Sequence, residues 1–291
     1  MRSLISEFSY GFALTHELVL SLGSLVAAPV FPSLIEEGKA GGGYDVKLEA
    51  PGLPLFLQFK RSERLTRGTA REIKAGAQLT LPYHRIALTA RSDSDQHDML
   101  IELDQAPNVV FYAAPMFHQK DEFDQAFLDG EVRARSFFVS PATIGAFADD
   151  GAHHLSFDGA TCVVMSKPKV VPSLGASNLE ALLLERLHAD KRPLREIVDA
   201  AVVSAEGARE RSRQVARSRD ELDYFSMRVT DSSGAPTGVE AFVRQQIASL
   251  PPVATPPASD PEMEPLRKLA DIGLREFNAQ LYVVQRGEDI K

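Results

Sequence analysis

"GGGYDVKLEAPGLPLFLQFKRSE", residues 41–63, is the stretch on which the reading of this chain turns. Its second half, "LPLFLQFK", is a short apolar run bounded by Pro and Gly and predicts a strand over 54–60, while "DVKLE" alternates and predicts a strand over 45–49. "APGLP" between them has turn chemistry, so a hairpin is expected. Side chains alternate faces along a strand, which puts Gln58 and Lys60 on one side and Phe59 on the other, toward the core. The hairpin would then gather Asp45, Gln58 and Lys60 at one end: a carboxylate, an amide oxygen and an ammonium. Oxygen donors of this kind suit Mg²⁺ or Mn²⁺, and a metal-bound water beside a lysine is suited to attack on a phosphate. Gly41, Gly42 and Gly43 leave bare backbone where a nucleic-acid strand could approach closely.

Working outward, helical spacing of Leu14, Leu18 and Leu22 predicts a first helix over 13–22. After the hairpin come a polar, Arg-rich connection, a strand over 85–90 and a short helix in "DQHDMLIELDQ". "NVVFYAAP", 108–115, has the composition of a strand buried on both faces. A helix in "QKDEFDQAFLDGEVRA" should stop near Gly130, and a strand follows over 136–141. Alternating strands and helices indicate an α/β fold with a central mixed sheet flanked by helices, assigned to residues 1–172. Residues 173–291 read as mainly helical, with a proline-rich linker at 250–265 and a last helix and strand in "LRKLADIGLREFNAQLYVVQR". That last strand has two alternatives: return to the first sheet, or membership of a small helical module.

The formal charge of -8 argues against a protein that coats nucleic acid or anionic lipid with its whole surface. The acidity is unevenly spread. Between Lys60 and Arg91 eight basic residues face only Glu63 and Glu72, a local basic stretch. No apolar run is long enough to span a bilayer, the start lacks a secretory pattern, and the single Cys162 excludes an internal disulfide, so a cytoplasmic protein without membrane contact is expected. "ATCVVM" places Cys162 in a buried strand. "EGKAGGG" lacks the Lys-Ser/Thr pair of a phosphate-binding loop and leads into a strand. His153 and His154 would face opposite ways on a strand and so make a poor metal pair.

Asp45 followed by Gln58-Phe59-Lys60, after "THELVLSLG" and "GGGYDVKL", resembles the PD-(D/E)XK nuclease superfamily in the Gln-x-Lys variant of Mrr-like restriction endonucleases and some Holliday-junction resolvases. The resemblance covers roughly residues 10–115, including the helix and buried strand after the hairpin. It implies a restriction-endonuclease-like core and Mg²⁺-dependent (or Mn²⁺-dependent) hydrolysis of DNA, in defence against foreign DNA or in DNA processing. By the same resemblance Asp45, Gln58 and Glu17 hold the metal, and Asp45, Gln58 and Lys60 form the catalytic set. Glu36 and Glu37 compete with Glu17 as the additional acid, and His97 is a candidate neighbour of the metal site. Arg61, Arg64, Arg67, Arg71 and Lys74 would border the site and hold DNA phosphates. Partners beyond DNA would be a second copy of the chain or another protein in a larger assembly. Two alternatives stand beside this reading: a non-cleaving nucleic-acid-binding or assembly subunit of the same fold, and a protein-interaction module using the helical C-terminal half.

Overall fold

The computed structural model describes residues 1, 3–20, 22–30, 46–165, 168–227 and 261–287, with 215–227 as backbone only. Two five-stranded sheets carry the fold. The first contains β1 (Leu25–Pro29), β2 (Leu53–Phe59), β5 (Val109–Pro115), β6 (Ser136–Val139) and β10 (Gln280–Arg286), in the order β1-β10-β2-β5-β6. Only β2 and β5 run parallel, which makes the sheet mixed. Every residue of β5 is buried, as expected for a strand covered on both faces.

One face of this sheet packs under α1 (Glu7–Leu20), α4 (Lys120–Leu128) and α6 (Ala176–Ala189). The other packs against α3 (Gln96–Leu103), α7 (Leu194–Met227), α8 (Glu264–Phe277) and the second sheet. That second sheet is antiparallel throughout: β3 (Glu63–Leu65), β4 (Tyr83–Leu88), β7 (His153–Phe157), β8 (Cys162–Val164) and β9 (Lys169–Val170). A short helix, α2 (Arg71–Lys74), lies between β3 and β4, and α5 (Pro141–Ile144) follows β6. The rings of Phe137 and Phe157 stack 3.9 Å apart within the cluster that joins the sheets.

Three expectations change. The hairpin is absent among the described residues: 46–50 form a turn, and both neighbours of β2 are occupied, by β10 and β5. Backbone groups of 46–51 are satisfied elsewhere. Lys47 exchanges hydrogen bonds with the Gln285 side chain at 3.0 and 2.8 Å, and the carbonyls of Leu48 and Ala50 accept from Arg195 and Leu194. The first helix begins at Glu7, earlier than expected. The proline-rich linker is shorter at its described end, because α8 starts at Glu264 with Pro265 in its first turn, where a missing N–H costs nothing. Residues 250–260 of that linker lie outside the described residues.

The last strand takes the first of its two alternatives. β10 runs antiparallel between β1 and β2, with Val283 opposite both Ala28 and Pro54. α8 leads into it through Asn278, whose φ of 48° is the left-handed cap that ends helices. The seating of α8 needs Gly273, since a Cβ there would meet the Phe56 ring at 3.1 Å and the Ala279 carbonyl at 3.3 Å. On the opposite face Gly11 lets α1 close onto Phe59, whose ring a Cβ would meet at 2.7 Å. No helix among the described residues is long and apolar enough to cross a membrane.

Candidate functional site

The carboxyl ends of the two parallel strands, β2 and β5, gather the polar groups that packing alone does not require. Gln58 pairs with Tyr112 across the ladder, and Lys60 follows β2 with its N–H bonded to the Ala113 carbonyl at 2.9 Å. Strand alternation holds: Gln58, Lys60 and Tyr112 face the α3 and α8 side, and Phe59 faces α1.

Gln58 is fully buried, and its Nε2 donates to the Phe277 carbonyl at 2.9 Å. Gln96 Nε2 donates to the same oxygen at 3.1 Å, so two amides satisfy an otherwise orphaned carbonyl at the end of α8. A carbonyl can only accept, which fixes the Gln58 amide orientation and leaves Oε1 on the other side without a partner. A buried oxygen donor of this sort costs free energy unless something binds it.

Lys60 places its Nζ 5.7 Å from the centre of the Tyr112 ring. Burial pushes its ammonium below the usual lysine range, and the Glu7 carboxylate works against that shift. Tyr112 is itself fixed. His97 Nε2 lies 3.0 Å from the Gly145 carbonyl and must donate to it, so Nδ1 accepts from the Tyr112 hydroxyl at 2.8 Å. The imidazole stacks on Phe147 at 4.7 Å, and burial lowers its pKa, which keeps the ring neutral. His97 therefore supports the floor under Lys60.

Asp45, Glu36 and Glu37 lie outside the described residues. The described chain resumes at Val46, and the hydrogen bonds of Gln285 to Lys47 and Pro51 hold it near the start of β2. Gln58 is about 20 Å away along the strand. Glu17 is not brought to Gln58 and Lys60. It projects from α1 on the far side of the sheet, and its two carboxylate oxygens accept from the N–H groups of Val132 at 2.8 Å and Arg133 at 2.7 Å. Among the described residues no group of three or more His, Cys, Asp or Glu side chains is placed to share a cation.

The basic stretch divides in two. Arg85 is paired with Glu63 at 2.6 Å and Glu72 at 2.9 Å, Arg91 with Asp98 at 3.0 Å, and Arg64 with Glu122 at 3.2 Å. Arg61, Arg67, Arg71 and Lys74 are exposed. Arg61 directly follows Lys60, while Arg71 and Lys74 sit on α2 beside the second sheet. A cavity of about 230 Å³ lies at the opposite end of β2, lined by Leu53, Pro107, Arg186 and Asp190, and does not reach Lys60.

Sequence reasoning did not reach Tyr112 or the Phe277 carbonyl, and met Gln96 only as the neighbour of His97 on its helix. Tyr112 left a trace, as the one hydroxyl in the run "NVVFYAAP". No protein-family model, curated protein or solved structure matches the chain. The resemblance to PD-(D/E)XK nucleases thus rests on Asp45, Gln58, Lys60 and the order of elements around them.

Proposed function

We propose that this chain is a restriction-endonuclease-like, metal-dependent nuclease that hydrolyses DNA phosphodiesters, with its centre at the carboxyl ends of β2 and β5. One observation carries the reading: the buried, unpaired Oε1 of Gln58 and the partly desolvated Lys60, two residues further on and on the same face, fall at the carboxyl end of β2 beside the parallel β5, where open α/β sheets bind ligands. In support, a helix, α3, and a buried strand, β5, come after Gln-x-Lys, with β3, α2 and β4 between. Gln58 Oε1 has the chemistry of a hard-cation ligand, and for Asp45 to supply the negative charge that an amide lacks, residues 46–51 would have to leave their bonds to Gln285, Leu194 and Arg195 at the other end of β2. A bound Mg²⁺ or Mn²⁺ would supply a hydroxide-like water and neutralise charge on the phosphate. Lys60 would stabilise the same developing charge, held by the Tyr112 ring and His97 behind it. Arg61, Arg67, Arg71 and Lys74 would contact the DNA backbone. Defence against foreign DNA, or DNA processing, in the cytoplasm is the setting we propose.

A second reading has its own support, because the Gln58 amide caps α8 and residues 46–51 are tied to the far end of β2. In that reading the same surface binds DNA without cleaving it. Mn²⁺ titration and DNA-binding anisotropy of the wild type and Asp45→Asn separate the two. The nuclease reading expects Mn²⁺ binding that Asp45→Asn abolishes. DNA binding unaffected by Asp45→Asn, with no Mn²⁺ bound by either protein, would favour the non-cleaving subunit. Absence of DNA binding would sink both.

A further inference from the structure

The outer face of α1 is apolar where a surface helix should be polar. Phe8, Phe12 and Leu20 are 83%, 60% and 70% exposed, and with His16 they recur every fourth residue along the helix. Leu4 is exposed just before the helix, Phe127 of α4 lies against Phe12 and His16, and Leu128 next to it in sequence is exposed as well. The rings form one continuous group: Phe12 and His16 stack at 6.5 Å, His16 lies 5.7 Å from Phe127, and Phe127 lies 6.4 Å from Phe123. Of the exposed phenylalanines among the described residues, Phe12 and Phe127 belong to it, and Phe8 lies one helical turn before Phe12 on α1. The opposite face of α1, with Tyr10, Ala13, Leu14 and Leu18, is already buried on the sheet. A helix apolar on all sides is normally covered on all sides.

We infer that this face is the interface of a homodimer, covered by the same face of a second copy. Three observations favour that occupant. The outer residues of α1 are Ser, Thr, Phe, His, Val and Leu with Glu7 as the sole charge, the charge-poor composition of homodimer contacts. The row at every fourth residue is a ridge of the kind that packs into the grooves of an identical helix, which a two-fold axis supplies. Leu4, Phe8, Phe12, Leu20, Phe127 and Leu128 together present on the order of 800 Å², about what one partner contributes to a standard interface. The charge along α4 and just after it argues against a membrane or nucleic acid, since the exposed Asp121, Asp129 and Glu131 outweigh the exposed Lys120, which is paired with Asp124. This inference does not depend on the nuclease reading.

Sedimentation velocity of the full chain tests it, with circular dichroism to confirm folding. The wild type should dimerise reversibly in the micromolar range or tighter. Phe12→Glu and Phe8→Glu, both at exposed positions, should each weaken dimerisation by at least about 10-fold, the effect expected of an aromatic anchor. Leu274→Glu, an exposed apolar site on α8 across the sheet, should leave it unchanged. A wild type that stays monomeric to about 100 μM, or a dimer that tolerates both glutamates, would overturn the proposal.

Discussion

At the scale of single residues, buried polar groups are held by a small number of hydrogen bonds, and each bond can be tested. Tyr112→Phe keeps the ring under Lys60 but leaves His97 Nδ1 buried without a donor, and should cost about 1–3 kcal/mol in urea denaturation. His84 provides a pH test. Burial, reinforced by the charges of Arg64 and His118, lowers its pKa from 6.5 to about 4. Between those values the unfolded chain holds more protons than the folded one, so stability is present above pH 6.5 and declines as the pH falls toward 4. His97 is shifted the same way and adds to the decline. In His84→Phe, whose ring can keep the stack on Phe157, the loss of stability between pH 6.5 and 4 should be visibly smaller. An unchanged pH profile would show that His84 is not the group responsible.

At the scale of elements, the strand that matters most is the last. β10 lies between β1 and β2, so both of its edges are paired. Val283→Pro, in the middle of that strand, should remove ladder bonds and abolish cooperative unfolding followed by far-ultraviolet circular dichroism. An unchanged midpoint would mean that β10 is not integral to the sheet. The sequence carried part of this. β5 was readable because a strand buried on both faces is continuously apolar, and the shared face of Gln58 and Lys60 followed from alternation. Helix α8 and strand β10 were readable as elements. Their destination was not, because β10 meets β1 some 250 residues away and no local pattern encodes so distant a pairing. The misread hairpin has the same cause: 46–49 alternates like a strand, but Gln285, Leu194 and Arg195 hold its backbone as a turn. Strands at 85–90 and around Cys162 were readable, but their pairing into a second sheet was not, because β4 meets β7 some 70 residues away and β3 and β9 have only three and two residues.

At the scale of the whole molecule, a chain of formal charge -8 would engage DNA only through a local surface, for which the candidates are the exposed Arg61, next to Lys60, Arg67, and Arg71 and Lys74 on α2. If DNA lies there, replacing Arg61, Arg67, Arg71 and Lys74 singly with Ala should weaken binding evenly across sequences. Each replacement that removes a phosphate contact should make the slope of log affinity against log salt shallower by about 0.9. Anisotropy titrations across a salt series measure this, and slopes identical to wild type in all four variants would place the DNA elsewhere or nowhere.

The most direct test of the central claim is cleavage of supercoiled and linear DNA by the purified chain with Mg²⁺, Mn²⁺ or EDTA, beside Lys60→Ala and Asp45→Ala of confirmed fold. The account predicts metal-dependent nicking by the wild type that EDTA and both substitutions abolish. Nicking that persists in Lys60→Ala, or a wild type inert in either metal, would contradict a nuclease centre at the end of β2.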